Sequence, residues 1–291
     1  MQQSKFYKDL EVKTEYFDIR VKFLIKEIGI DEFRRQVDEE LSQPWAKEPL
    51  DMKSLMELIP EGPTSGAVPS NGHVKSPDLS RWIQTNVRPQ KQPGHVAVTV
   101  TVPLGNISSD QFTSLAEIMR KFSGGNARTQ QNQNLVLRWV KEEALPALYS
   151  DLLKIDLAQP DAGLISDVVS CPGTDSCKMG ITSAQGVGTA INDAIKGLYK
   201  DDPLVQEIPI KASGCPNGCG QHHLAGIGLQ GAAFKSGITD IPCFDLFVGG
   251  GNYVGGGKYG TRVTRIPSKR VPQAIAKIIE IYQSERQDNE P

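Results

Sequence analysis

Four of the five cysteines fall into two tight pairs, Cys171-Pro-Gly-Thr-Asp-Ser-Cys177 and Cys215-Pro-Asn-Gly-Cys219, spaced C-x5-C and C-x3-C. Thiolates are metal ligands, and four of them delivered by two loops can surround one centre. Each pair follows a stretch that reads as a strand, DVVS before the first and IPIKAS before the second. Loops at the ends of two neighbouring strands can converge. Pro172, Gly173, Pro216, Asn217 and Gly218 are turn formers that hold such loops tight and let backbone N–H groups reach sulfur, and these hydrogen bonds tune a cluster's potential. Three readings compete. Structural zinc prefers C-x2–4-C knuckles, which an x5 spacing fits poorly. Unrelated core cysteines explain a lone pair better than two proline-containing pairs on matching strand ends. An iron–sulfur cluster held by four thiolates fits best. The fifth, Cys243 in IPCFDLF, lies in an apolar strand and reads as a buried small hydrophobe.

The elements that must position these loops are legible in part. The 291 residues allow roughly two domains of about 150 residues each. Residues 18 to 41 read as two short helices, with Ile19, Phe23, Leu24 and Ile28 near one face, Gly29 stopping the first and Asp31 capping the second. From 43 to 94 periodicity fades into a turn-rich connector, unusually long for a compact domain. HVAVTVTVPLG alternates Val96, Val98, Val100 and Val102 as a strand does, and SSDQFTSLAEIMRKF carries Phe112, Leu115, Ile118, Met119 and Phe122 at helical spacing behind a Ser108 or Ser109 cap. NLVLRWV then reads as a strand and ALPALYSDLLKI as a helix, a β-α-β-α half-domain over 95–160. Over 161–291, GIGLQGAAF and CFDLFVGG add strands, and SAQGVGTAINDAIKGLY and VPQAIAKIIEIYQSER are helices. The fold class is therefore α+β, with a second domain of α/β or α+β type.

Composition excludes several classes. Lys+Arg 32 against Asp+Glu 34 gives a formal net charge of -2, which lacks the footprint of a dedicated nucleic-acid binder. No apolar run approaches the roughly 18 residues that span a bilayer, and the start MQQSKFYKD has no signal-peptide core. The expectation is a cytoplasmic protein, without membrane or nucleic-acid partners, whose thiols are reduced or ligate metal.

The cysteine pattern, CPGTDSC with KMGITS behind it and KASGCPNGCGQHH later, resembles the sirohaem and [4Fe–4S] domain of sulfite and nitrite reductases. The resemblance extends upstream to ARTQQNQNLVLRWV, where Arg128, Gln133 and Asn134 match the family segment and Gln130 replaces its usual Thr. It implies a ferredoxin-like half-domain followed by an α/β cofactor domain. It implies that Cys171, Cys177, Cys215 and Cys219 ligate the cluster, that Cys219 also bridges to the sirohaem iron, and that Arg128, Gln133, Asn134 and Asn217 contact sirohaem. Lys211 and the glycines from Gly249 are further candidates for its carboxylates. His222 and His223 read as a pair holding the local turn, with a proton-donating role as the alternative. Arg262, Arg265, Lys269 and Arg270 read as a solvated basic rim.

The resemblance further implies six-electron reduction of sulfite to sulfide or nitrite to ammonia, fed by ferredoxin or a similar one-electron donor, with sulfite placed slightly ahead. Family members contain two copies of the half-domain and cofactor unit. Residues 1–42 resemble the end of a first copy, so the chain reads as the cofactor-bearing half. The substrate-facing basic residues come mainly from the first copy, so no catalytic side chain is assigned here. Two alternatives stand beside this reading: a non-catalytic [4Fe–4S] electron-transfer module, and a half-subunit active only with a separate first-repeat chain.

Overall fold

The structure is a computed structural model and describes residues 21–48, 62–63, 77–253 and 256–287. The chain divides into two compact units, 1–59 and 60–291. The first holds helices α1 (Val21–Ile28) and α2 (Ile30–Leu41), separated by Gly29 at φ 84°. Gly29, rather than Asp31, occupies the cap position of α2, and no side chain caps it. Asp31 and Glu32 lie in the first turn instead, where negative charge favours the helix dipole. Ile19 lies outside the described residues.

In the second unit, α3 (Pro77–Asn86), β1 (Val87–Pro89), β2 (His95–Val100), α4 (Ser109–Phe122), β3 (Arg128–Thr129), β4 (Leu135–Lys141) and α5 (Leu145–Leu153) build the ferredoxin-like half-domain. Its antiparallel sheet runs β1-β2-β4-β3. Val96, Val98 and Val100 turn one face of β2 inward, as their alternation requires, against Leu115, Ile118 and Phe122 of α4 and Leu148 and Leu152 of α5. Ser108 closes a capping box with Gln111 at the start of α4. The 43–94 stretch is not connector throughout. Trp82 of α3 is fully buried in this core and β1 fills the sheet edge beside β2, while 49–61 and 64–76 lie outside the described residues. β1, at three residues, is too short for a periodicity to show in the sequence.

A second sheet follows, formed by β5 (Val169–Ser170), β6 (Ile210–Ser213), β7 (Ile227–Ser236), β8 (Thr239–Val248) and β11 (Thr261–Pro267), in the order β11-β8-β7-β6-β5. β5, β6 and β7 are parallel, and β8 and β11 antiparallel. Helices α6 (Ala184–Ile195) and α8 (Val271–Glu285) pack into one core with Ile210, Leu229, Phe244 and Leu246 of these strands; α7 (Pro203–Gln206) lies between α6 and β6. The glycine run from Gly249 forms the hairpin of β9 (Gly251–Tyr253) and β10 (Gly256–Lys258). Among the described residues, no helix is long and apolar enough to cross a membrane.

Candidate metal centre

Cys171 directly follows β5, and Cys215 follows β6 after one glycine. Because β5 and β6 are parallel, in register Val169 to Lys211 and Ser170 to Ala212, both cysteine loops leave the same end of the sheet. The Cys171 N–H continues the ladder to the Ala212 carbonyl at 3.1 Å.

Beyond the ladder, the loops are held by backbone stacking. A Cβ on Gly214 would stand 2.6 Å from the Gly173 α-carbon, and one on Gly231, in β7, would stand 2.2 Å from the Gly214 carbonyl group. These three glycines stack the first cysteine loop, the second and the sheet in direct contact, closer than any side chain allows. The first loop then returns so that the N–H groups of Ile181 and Thr182 both donate to the Gly214 carbonyl, at 2.8 and 3.1 Å. The Gly214 N–H donates to Cys171 Sγ at 3.1 Å.

Cys171 and Cys215 are buried, whereas Cys177 and Cys219 are exposed, so the site opens on one side. Burial, followed by the charges of Cys171, Cys215 and Cys177, pushes the Cys219 thiol above its ordinary value. Among the described residues, no three His, Cys, Asp or Glu side chains stand close enough to share a single metal ion. Four thiols delivered by two loops that pack on one another, with a backbone N–H aimed at one sulfur, are donor chemistry suited to a cluster of several irons. The residues present fit a [4Fe–4S] group.

His222 and Ser213 brace the second loop. His222 is fully buried, with Nδ1 2.8 Å from Ser213 Oγ and Nε2 3.2 Å from Gln230 Oε1. With Nε2 donating to Gln230, Nδ1 accepts from the Ser213 hydroxyl, whose oxygen accepts the Gly220 N–H at 3.0 Å. Burial, and secondarily the adjacent His223 ring, lower the His222 pKa from 6.5 to about 4, so the imidazole is neutral at pH 7. The two imidazole centroids are 3.9 Å apart and both rings meet Phe247. Neither Ser213 nor Gln230 stands out in the sequence; Gly231, isolated within a strand pattern, is a legible sign of close backbone approach.

The expected sirohaem contacts divide. Asn217 is half-buried between Cys215 and Cys219, and Arg128 is half-buried on β3. Gln133 and Asn134, by contrast, turn their amides to the protein. Gln133 accepts from the Ser170 N–H at 2.9 Å and donates to the Ser170 carbonyl at 2.7 Å. Asn134 accepts from the Val102 N–H at 2.9 Å and donates to Asp167. Their side chains join the half-domain to the strand before Cys171. Lys211 donates to Gln221 at 2.9 Å, and burial lowers its pKa. Arg262 and Arg265 are not merely a solvated rim, since both bind the buried Asp245 carboxylate, at 2.8 and 2.7 Å. Cys243 is buried, as expected.

Two family models match the chain: the nitrite/sulfite reductase ferredoxin-like half domain over residues 88–155, and the nitrite and sulphite reductase 4Fe-4S domain over 162–291. Among curated relatives, a ferredoxin–nitrite reductase of Synechococcus elongatus is 28% identical over 79% of this chain and 40% of its own length. A chloroplastic ferredoxin–nitrite reductase of Oryza sativa is 27% identical over 84% of this chain and 37% of its own. The chain thus spans about two-fifths of the length of these relatives. The solved structure of the Mycobacterium tuberculosis NirA protein shares the fold, with a TM-score of 0.65 at 22% identity, over 94% of this chain and 46% of that one. With both family models placed on a half-domain sheet and on a converged four-cysteine site, the chain belongs to the nitrite and sulfite reductase family, which implies a [4Fe–4S] cluster and sirohaem as its cofactors.

Proposed function

We propose that this chain is the cofactor-bearing half of a ferredoxin-dependent reductase that takes nitrite to ammonia with six electrons, sulfite being the second substrate to test. The observation that carries the reading is Gly214, whose N–H meets Cys171 Sγ while its α-carbon packs on Gly173 of the other loop. That contact makes one site of two distant cysteine pairs. The names of the relatives favour nitrite over sulfite and ferredoxin as donor.

In this proposal Cys171, Cys177, Cys215 and Cys219 would hold the cluster, and Cys219 would serve the sirohaem as well. When bound, the coupled cofactors supply one-electron transfer and the iron at which the anion is reduced. The protein contributes placement. The buried Cys171 and Cys215 anchor the inner side, the Gly214 N–H stabilises charge on one sulfur, and the His222–Ser213 bonds fix the turn that carries Cys219. Arg128 and Asn217, both half-buried, would contact sirohaem. A partner half supplies the basic anion pocket, an arrangement favoured by the exposure of Cys177, Cys219, Met179 and Ile181 on the open side.

Anaerobic purification tests the reading. A sirohaem Soret and long-wavelength band is expected, with about four cluster irons and one haem iron per chain. A cluster spectrum without the macrocycle band would identify an electron-transfer module instead, and one zinc with neither chromophore would sink the assignment. Viologen-driven turnover of nitrite and sulfite, with and without an added first-repeat polypeptide, decides the substrate and the pairing; full activity of the lone chain would refute the partner half.

A further inference from the structure

Gln133 stands at φ 71°, a left-handed conformation that residues with a side chain adopt rarely and at a cost. It closes the β3–β4 turn, where the Gln133 N–H donates to the Gln130 carbonyl at 3.1 Å and the Gln130 N–H to the Asn134 carbonyl at 2.9 Å. The conformation aims the side-chain amide out of the half-domain at Ser170. There it makes both hydrogen bonds that a neighbouring strand would make, one to the N–H and one to the carbonyl of the same residue. Among the described residues β5 is the edge strand of its sheet and pairs with β6 alone, so the amide occupies the position that a further strand would take. Room for it is reserved. A Cβ on Gly105 would stand 2.9 Å from Gln133 Nε2, closer than atoms tolerate. The next residue, Asn134, grips Asp167 three positions before Ser170, so two successive amides hold the segment that ends at the first cysteine.

We infer that Gln133 is a positioning residue for Cys171: through the Ser170 backbone it sets where the first cluster ligand stands, and so couples the geometry of the half-domain to the electronic properties of the cluster. The inference rests on the cluster reading proposed above. Among the described residues the Ser170 N–H has no other acceptor, and the following N–H, that of Cys171, is already used by Ala212. A shift of Ser170 therefore moves the sulfur relative to the Gly214 N–H that now lies 3.1 Å from it. Groups that orient metal ligands in this way influence affinity and potential without touching the metal.

The test uses the full chain loaded with iron and sulfide, comparing wild type with Gln133→Met, which keeps the length but not the bonds, and Gln133→Glu, which still accepts from the Ser170 N–H but cannot donate to its carbonyl. Iron loss to a chelator is expected to be about 10-fold faster in Gln133→Met and less accelerated in Gln133→Glu, with a shifted midpoint potential and altered g-values of the reduced cluster in both. Leu148→Ala, which weakens the half-domain core away from Ser170, serves as the control and should keep the wild-type potential and g-values. Wild-type values in both Gln133 variants, or an equal shift in the Leu148 control, would overturn the inference. A wild-type chain that takes up no [4Fe–4S] cluster would overturn the proposed function itself, an outcome distinct from a loaded wild type with unshifted variants. Amide exchange on the wild type keeps the question open to refutation if the variants do not fold: Ser170 N–H is expected to be protected, and exchange at the rate of an open amide would remove the clamp.

Discussion

In the half-domain sheet the decisive residues are large. Val96, Val98 and Val100 fill one face of β2, and Leu115, Phe122 and Leu148 close over them. At the cysteine end of the second sheet the decisive residues have no side chain at all, for Gly173, Gly214 and Gly231 stack backbone on backbone. Burial of apolar area is forgiving, since a core loses stability by degrees when a methylene is removed. Backbone contact is not forgiving, because nothing can be subtracted and any addition displaces a loop. The difference suits the two tasks. One region must be stable, and the other must hold four sulfurs at fixed separations.

The sharpest way to break this comparison is Gly231→Ala. The new methyl would meet the Gly214 carbonyl group at 2.2 Å, so a loss of about 3 kcal/mol or more is expected together with loss of the cluster; thermal unfolding and iron analysis measure both, and a loaded, stable variant would show that the glycine stack is dispensable. Leu148→Ala should cost a similar or slightly smaller amount, about 2–4 kcal/mol, but by unfolding midpoint alone, with full iron content at temperatures where the variant is folded. Its failure to retain iron would erase the distinction between the regions.

A third effect is linked to pH. His222 is held at about 4 in the folded state, below its ordinary 6.5, by burial and then by His223. The unfolded chain therefore takes up this proton first, and stability should fall by about 2–3 kcal/mol as pH drops from 6.5 to 4, with no contribution from this group above 6.5. His222→Gln should flatten that slope in denaturant titrations of the metal-free chain. The smallest effect belongs to the outer strands. Hydrogen bonding from Arg265, followed by that from Arg262, holds the Asp245 carboxyl at about 2, against the opposing effect of burial. Its stabilisation is present above the ordinary carboxylate value of 3.8 and is lost as pH falls through about 2. Asp245→Asn should cost about 1–2 kcal/mol, reduced because both arginines are partly exposed, and should leave cluster iron unchanged.

Legibility in the sequence followed the same division. The valines of β2, the helical spacing of α4 and the Ser108 cap are periodic or local signals, and the structure has them where expected. The cysteine spacing named the metal chemistry. The features that were not legible were either short, as β1 is, or nonlocal. That Gln133 binds Ser170 thirty-seven positions away depends on how the two sheets are brought together, and that Arg262 and Arg265 share a buried carboxylate depends on the pairing of β11 with β8, neither of which a local pattern records. Gln133 and Asn134, singled out by the resemblance, bind the segment that leads into Cys171, Gln133 at Ser170 and Asn134 at Asp167.

The clamp at Ser170 also orders events in time. Chains are made from the N-terminus, and domains tend to fold as they emerge. The half-domain, with its β3–β4 turn and the Gln133 amide already aimed outward, is complete in sequence before Cys171 is added, while Gly214 and Gly231 arrive later. The first thiol is thus met by a finished receptor and the second pair by a finished first loop. Cluster insertion becomes possible only at the end of that succession, after the loops have a place to stand and before an unligated set of four thiols has long to wait.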